Sequence, residues 1–293
     1  VGVKRSGAGT NVLFRHSGAK VQSVWRDWVA KCGNPTCSKK SWLQAFTHSH
    51  RGMRVEGEWY CDTNCFEQVV KGKIEELLAS QNPPAKARGS RVPMGLLLLS
   101  RGILTSEQLK AALDYQRLNA VNFGDAVQQL GFATQEQVTA AVAAQWACPV
   151  FPLGDRPLDV KIRIPRQLLN LYKMLPVHYT ENERRLLIGF VSGVQHQILS
   201  TIGHITSCTV VPCFITMREY ESQLKSSLTP CPRDYELAVD EILESAEMAR
   251  LTTNYVVQLG AERMRIGKCR DYVWTRIWGK KQEMDLLFRV GSD

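Results

Sequence analysis

Two stretches of this chain, PMGLLLLSRGILTSEQLKAALDYQ from Pro93 to Gln116 and NFGDAVQQLGFATQEQVTAAVAAQ from Asn122 to Gln145, align without a gap over 24 residues, with five residues between them. Such a duplication constrains the fold more than composition does, because a short unit that cannot close a core alone packs against its twin. Each copy has glycine at its third and tenth positions (Gly95 and Gly102; Gly124 and Gly131) and ends in glutamine (Gln116; Gln145). Aliphatic residues fill positions 17 and 21: Leu109 and Leu113 in the first copy, Val138 and Val142 in the second. The pattern reads as a helix pair. A short first helix stops at a glycine C-cap, Thr105 or Thr134 caps the next, and that second helix buries its aliphatic stripe. TSEQ and TQEQ have the spacing of a reciprocal capping box.

Around the repeat, the chain divides by composition. Residues 1–24, rich in Gly, Ser and basic side chains, read as a flexible basic arm. Residues 25–80 hold paired cysteines and a helical tail, and 81–92 form a linker marked by Pro, Gly and Ser. Residues 93–228 pass from the repeat into alternating strand-like runs (KMLPVHY, RRLLIGFV, CTVVPCFI) and helical ones (VQHQILSTIGHI, MREYESQLKS). The Pro-rich TPCPRDY opens a last segment, 229–293, expected to hold a helix near 235–259 and a β-hairpin made of RDYVWTRIW, GKKQ and MDLLFRV. The fold class is α+β multidomain: a small four-cysteine zinc module, a tandem helical repeat leading into a small α/β domain, and a C-terminal helix plus β-hairpin. Trp274, Trp278 and Phe288 are expected to pack a core from that hairpin, and Cys208 and Cys213 to fill the α/β core.

Four of the nine cysteines form two close pairs, Cys32 and Cys37 in CGNPTC, and Cys61 and Cys65 in CDTNC. Two short loops that each present two thiolates supply the tetrahedral corners zinc requires without a large core. Gly33, Asn34 and Pro35 give the first loop its turn chemistry; EGEWYC reads as a strand delivering the second pair, and FEQVVKGKIEELL as the helix after it. That order resembles a treble-clef or zinc-ribbon module. Neither pair has the two-residue gap of a redox dithiol, and four thiolates leave no open position for a hydrolytic water, so the zinc is structural. His48 and His50 are alternative ligands in place of one cysteine.

The 24-residue unit, its spacer and its duplication resemble the MshEN domain, the N-terminal domain of type II secretion (GspE-type) and type IV pilus assembly ATPases. The resemblance runs on through CPVFPLGDRPLDVKIRIPRQLLNLYKMLPVHY, RRLLIGFV and CTVVPCFITMREYESQL and covers about 93–228. It implies a helical half followed by a small α/β half, a bacterial cytoplasmic setting, and secretion, pilus or signalling proteins as partners. In the family the paired motifs bind cyclic di-GMP, a leading basic residue stacking on guanine. Gly95, Leu98, Leu99, Gly102, Gln116, Gly124, Gly131 and Gln145 match the motif and are the candidate cyclic-di-GMP-binding residues. The family motif opens with Arg-Leu-Gly, however, whereas this chain has Pro93-Met94-Gly95 and Asn122-Phe123-Gly124. Guanidinium groups suit phosphates and purines alike, and the motif has lost that contact twice. Arg91 and Arg101 lie nearby, while Gln128 and Ala133 replace aliphatic residues of the family pattern. The matching glycines and leucines also serve helix packing unaided.

Three functions follow as expectations. The first is a non-enzymatic regulatory or adaptor protein that engages a protein partner. The second is a cyclic di-GMP sensor. The third is a nucleic-acid-binding protein, suggested by charge: residues 1–92 hold 15 Lys/Arg against 7 Asp/Glu, while the remainder holds 22 against 21. Lys39, Lys40, Arg51 and Arg54 surround the cysteines. A zinc tetrathiolate carries about two negative charges of its own, which reduces that excess and disfavours the third reading. The phosphate loop GxxxxGK[ST] of an ATPase core is absent, as are GxSxG and GxGxxG. No apolar run approaches the roughly 20 residues of a membrane-spanning helix. The C-terminal LGAERMRIGKCRDYVWTRIWGKK faintly resembles the segment that joins MshEN domains to their ATPase core.

Overall fold

The computed structural model describes residues 31–37, 52–80, 91–154, 158, 160–226 and 235–291. The basic arm, residues 81–90 of the linker, residues 229–234 of the Pro-rich break, and Lys39, Lys40, His48, His50 and Arg51 lie outside the described residues. The chain forms two compact units, Val1–Phe66 and Glu67–Asp293.

In the first unit, β1 (Met53–Val55) and β2 (Glu58–Tyr60) pair as an antiparallel hairpin. Its turn residues Glu56 and Gly57 both have positive φ, the twist that a two-residue hairpin requires. Helix α1 (Thr63–Ala79) follows, and Asp62 Oδ1 accepts the Cys65 N–H at 2.8 Å to satisfy a donor of its first turn.

The second unit begins its regular core with the duplicated helix pairs: α2 (Met94–Ser100) with α3 (Ser106–Asn119), and α4 (Phe123–Gln129) with α5 (Gln135–Trp146). Both expected capping boxes are made, Thr105 with Gln108 and Thr134 with Gln137, each hydroxyl and side-chain amide exchanging bonds with the other's backbone. Gly102 and Gly131 sit at φ +67 and +68, and the same two bonds close each first helix: Gly102 to Leu99 and Ile103 to Leu98, Gly131 to Gln128 and Phe132 to Val127. This is a Schellman stop, twice.

Burial departs from the expected stripe in the first copy, where Leu109 is half-buried. Val138 and Val142 are buried, but Leu113, at the position equivalent to Val142, is 38% exposed. Val142 enters the core of the mixed sheet, which α5 packs against. In the first copy, the buried residues of α3 and the loop before it are Ala112 and Leu104.

Next come α6 (Arg166–Tyr172), β3 (Met174–Thr180), β4 (Arg185–Phe190), α7 (His196–Thr206), β5 (Thr209–Phe214) and α8 (Met217–Ser226). Strands β3 and β4 are antiparallel; β5 joins β4 in parallel after the α7 crossover. Cys208 and Cys213 are buried here as expected.

The C-terminal part is larger than a helix and hairpin. It contains β6 (Glu236–Val239), α9 (Ser245–Leu259), β7 (Arg263–Cys269), β8 (Tyr272–Trp278) and β9 (Glu283–Arg289), in a sheet of order β6-β9-β8-β7. The helix expected from 235 starts at Ser245, because Glu236–Val239 pairs in parallel with β9. Glu, Leu and Ala suit a helix locally, but long-range pairing overrides that weak preference. Trp274 and Phe288 are fully buried on opposite faces of the central strands, while Trp278 is half-buried under the Arg263 guanidinium, 4.9 Å from its ring centre.

Helix α7 joins the two sheets. It packs on β5 and on β7, and its Ile198, Ile202 and Ile205 share one core with Phe190, Phe214, Cys269, Trp274 and Leu287. Gly267 makes the second contact feasible: a Cβ there would lie 2.7 Å from Thr201 Cγ2. The Thr201 hydroxyl donates to the Lys268 carbonyl at 2.6 Å. Residues on either side of 228 therefore share a core, whereas composition suggested a boundary there.

Candidate functional site

The first unit brings all four expected cysteines together. Gly33 N–H donates to the Trp59 carbonyl at 2.7 Å, which fastens the CGNPTC loop to β2. A side chain on Gly33 would meet the Tyr60 ring at 3.1 Å, so the loop lies close against the strand. Tyr60 is in turn set edge-on to Phe66, ring centres 5.1 Å apart. Cys61 leaves the end of β2 and Cys65 stands in the first turn of α1.

The four Sγ atoms of Cys32, Cys37, Cys61 and Cys65 lie within 4.8 Å of one another, Cys37 to Cys61 at 3.7 Å and Cys61 to Cys65 at 3.4 Å. Four sulfurs at the zinc–thiolate bond length of about 2.3 Å would be about 3.8 Å apart on a tetrahedron. The cluster therefore fits a tetrahedral soft dication held by these four residues. Burial pushes the Cys61 and Cys65 thiols above the usual thiol range. A dication among the sulfurs supplies the opposite effect and deprotonates its ligands. Cys37, Cys61 and Cys65 are buried, and Cys32 is the half-exposed corner.

Asn34, which sequence reasoning treats as turn chemistry, does more. It is 3% exposed, and its Oδ1 accepts both the backbone N–H of Thr36 at 3.0 Å and its hydroxyl at 2.8 Å. Burial raises the Cys65 thiol, and the Asn34 side chain acts in the opposite direction. Of the four basic residues expected around the cysteines, Arg54 is described, exposed on β1.

In the repeat, equivalent residues make equivalent contacts. A Cβ on Gly95 would lie 2.6 Å from Leu109 Cδ1, and one on Gly124 would lie 3.1 Å from Val138 Cγ1. Third-position glycine thus meets position 17 in both copies. The copies also reach each other: the Phe123 ring stands 3.3 Å from the Gly95 site, and the Met94 thioether 3.8 Å from the Gly124 site. This reciprocity is a pseudo-two-fold contact. Leu98 is fully buried, and Leu99 and Gln116 are half-buried. Gln145 donates from Nε2 to the Val92 carbonyl at 2.9 Å, tying the end of the second copy to the start of the first.

No family model and no curated protein matches the chain. Among solved structures, it is similar to MshE with cdg, at 19% identity over 46% of this chain and 96% of that one, TM-score 0.39. It is also similar to the N-terminal domain of XpsE, at 14% identity over 49% of this chain and 97% of that one, TM-score 0.36. A tandem helix pair followed by a small mixed sheet is the order that the resemblance implied.

The first residues of the two repeat copies, Pro93 and Asn122, precede α2 and α4 as their N-caps. Of the two nearby arginines, Arg91 lies over the Trp146 ring, 3.2 Å from its centre, and Arg101 is an exposed C-cap of α2. Trp146 was not singled out from sequence; its one local signal is that it directly follows the closing Gln145 of the second motif.

Proposed function

We propose that this chain is a non-catalytic regulatory or adaptor protein in which a structural zinc centre and an MshEN-like scaffold present surfaces to a protein partner of bacterial secretion, pilus or signalling machinery. The observation that carries the reading is the pairing of a closed, fourfold-thiolate cluster with a duplicated helix pair whose contacts are met internally. A four-sulfur site contributes folding free energy and leaves no coordination position for chemistry. In the repeat, the matched glycines serve close helix approach and helix termination, the roles that packing alone requires.

The second reading, a cyclic di-GMP sensor, is favoured by the eight matched motif positions. Against it stand Pro93 and Asn122, which bring no guanidinium to the first position of either copy, and Arg91, which already has one face of its guanidinium on Trp146. Calorimetric titration with cyclic di-GMP separates the two, with no heat at high micromolar ligand expected for the adaptor and saturable heat with one defined stoichiometry for the sensor. Elemental analysis is expected to find about one zinc per chain; folded protein without zinc would remove the metal centre from the proposal. A cytoplasmic location belongs to the same reading. Among the described residues no helix is long and apolar enough to cross a membrane.

A further inference from the structure

A closed tetrathiolate keeps water from its metal, yet its sulfurs stay nucleophilic, because coordination holds them as thiolates and the centre carries about two negative charges. Access then decides which sulfur an incoming reagent meets. The four corners differ in this respect. Cys37 lies under the turn of its own loop, its N–H donating to the Asn34 carbonyl at 3.1 Å. Cys61 and Cys65 are chain neighbours of the buried rings Tyr60 and Phe66. These three cysteines are all buried, at 5%, 7% and 9% exposure. Cys32 is the corner that is not. It follows the exposed Lys31 and precedes Gly33, which has no side chain to cover it. The other three sulfurs all lie within 4.8 Å of it. A disulfide length of about 2 Å is therefore reached by a shift of at most about 3 Å.

We infer that Cys32 is the modification site of the metal centre, the sulfur at which soft electrophiles and oxidants of the peroxide class attack and through which oxidation releases the ion. This rests on the zinc reading above. In the first step the Cys32 thiolate attacks one oxygen of hydrogen peroxide. An S–O bond forms, the O–O bond breaks, and hydroxide leaves and takes a solvent proton. The sulfur gives up two electrons to become a sulfenic acid, and the peroxide is reduced. In the second step a neighbouring thiolate of the cluster attacks the sulfenic sulfur. An S–S bond forms, the S–O bond breaks, and a second hydroxide leaves. Two thiolates, one peroxide and two protons thus become one disulfide and two waters. Two thiolates remain, half the set that a tetrahedral zinc site needs, and the ion passes to solvent. The four cysteines join the CGNPTC loop to the end of β2 and the start of α1, so loss of the ion also loosens the module.

The test uses the full chain loaded with zinc. Limited treatment with N-ethylmaleimide, followed by peptide mass mapping, is expected to place the first adduct among the four ligands on Cys32. Hydrogen peroxide in the presence of dimedone is expected to mark the sulfenic acid on the same residue, while a chromophoric chelator follows zinc release. Cys32→His keeps four ligands in a common zinc set and removes the accessible sulfur. Its zinc is expected to leave more slowly than that of wild type by about 10-fold or more, since only buried sulfurs remain. Cys37→His makes the same change of charge at a buried corner and is expected to release zinc faster than Cys32→His. A first adduct on Cys37, Cys61 or Cys65, or equal release from the two histidine variants, would overturn the inference. The mapping is done on wild type and decides the matter even where a variant fails to fold. A wild-type chain that takes up no zinc would overturn the zinc reading itself, whereas zinc uptake with a first adduct on a buried sulfur overturns the Cys32 assignment alone.

Discussion

Gly95 and Gly102 belong to the same motif copy, yet substitution of each by alanine is expected to act through a different physical cause. At Gly95 a Cβ would stand 2.6 Å from Leu109 Cδ1, where carbon atoms normally rest about 3.5–4.0 Å apart. Leu109 must therefore move by about 1 Å, and overpacking of that kind costs about 1–3 kcal/mol. Alanine is also the better helix former by about 1 kcal/mol, which offsets part of the loss and leaves a modest net destabilisation. At Gly102 nothing lies within 4 Å, but φ is +67, and a side chain in left-handed backbone costs about 1–2 kcal/mol whatever space surrounds it. Equilibrium urea unfolding of the two single variants, of Leu109→Ala, and of each double variant isolates the causes. Gly95→Ala and Leu109→Ala are expected to couple by about 1–2 kcal/mol, because shortening Leu109 removes the clash. Gly102→Ala and Leu109→Ala are expected to add within about 0.5 kcal/mol. Strict additivity of the Gly95 and Leu109 substitutions would refute the claim that third-position glycine is retained for helix contact.

Three further outcomes follow from other parts of the second unit. The buried pair of Arg276 and Asp285 is bidentate, at 2.8 and 2.7 Å, with Trp274 also donating to Asp285 at 2.7 Å; Arg276→Met strands the carboxylate and should cost about 3–5 kcal/mol by thermal or urea unfolding, much of it recovered when Asp285→Leu is added. Thr275 is fully buried with an unbonded hydroxyl, as are Thr252 and Thr253, so Thr275→Val should raise stability by about 1 kcal/mol, and a loss would show that the hydroxyl has a partner. At Glu219 burial would raise the carboxyl, but the backbone and hydroxyl of Thr216 and the amides of Leu153 and Gly154 outweigh it and hold the carboxyl below the usual glutamate range. Its contribution is complete above the ordinary glutamate value and lost as pH falls through the lower folded one, so the stability gap between wild type and Glu219→Gln should narrow on acidification below about pH 4; a gap that is constant with pH would contradict the cause given.

What the sequence made legible was local. Capping boxes at Thr105 and Thr134, glycine stops at Gly102 and Gly131, and two close cysteine pairs are each encoded within a few residues, and each appears where expected. What escaped depends on distant partners. The ELAV segment carries no mark of β9, with which it pairs, and the RMRIGKC strand is defined by its pairing with β8 and by the helix that Gly267 admits. Leu113 and Val142 occupy the same motif position; only the structure shows that the mixed sheet receives one of them.

The position of α7 has a practical consequence for anyone who cuts this chain. A fragment ended at the proline-rich stretch near 229–234 would remove β7 and leave the flank around Thr201 and Ile205 uncovered, inviting aggregation. Expression pieces that retain residues 235–291 keep that flank sheathed, and they make the better starting material for crystals or titrations.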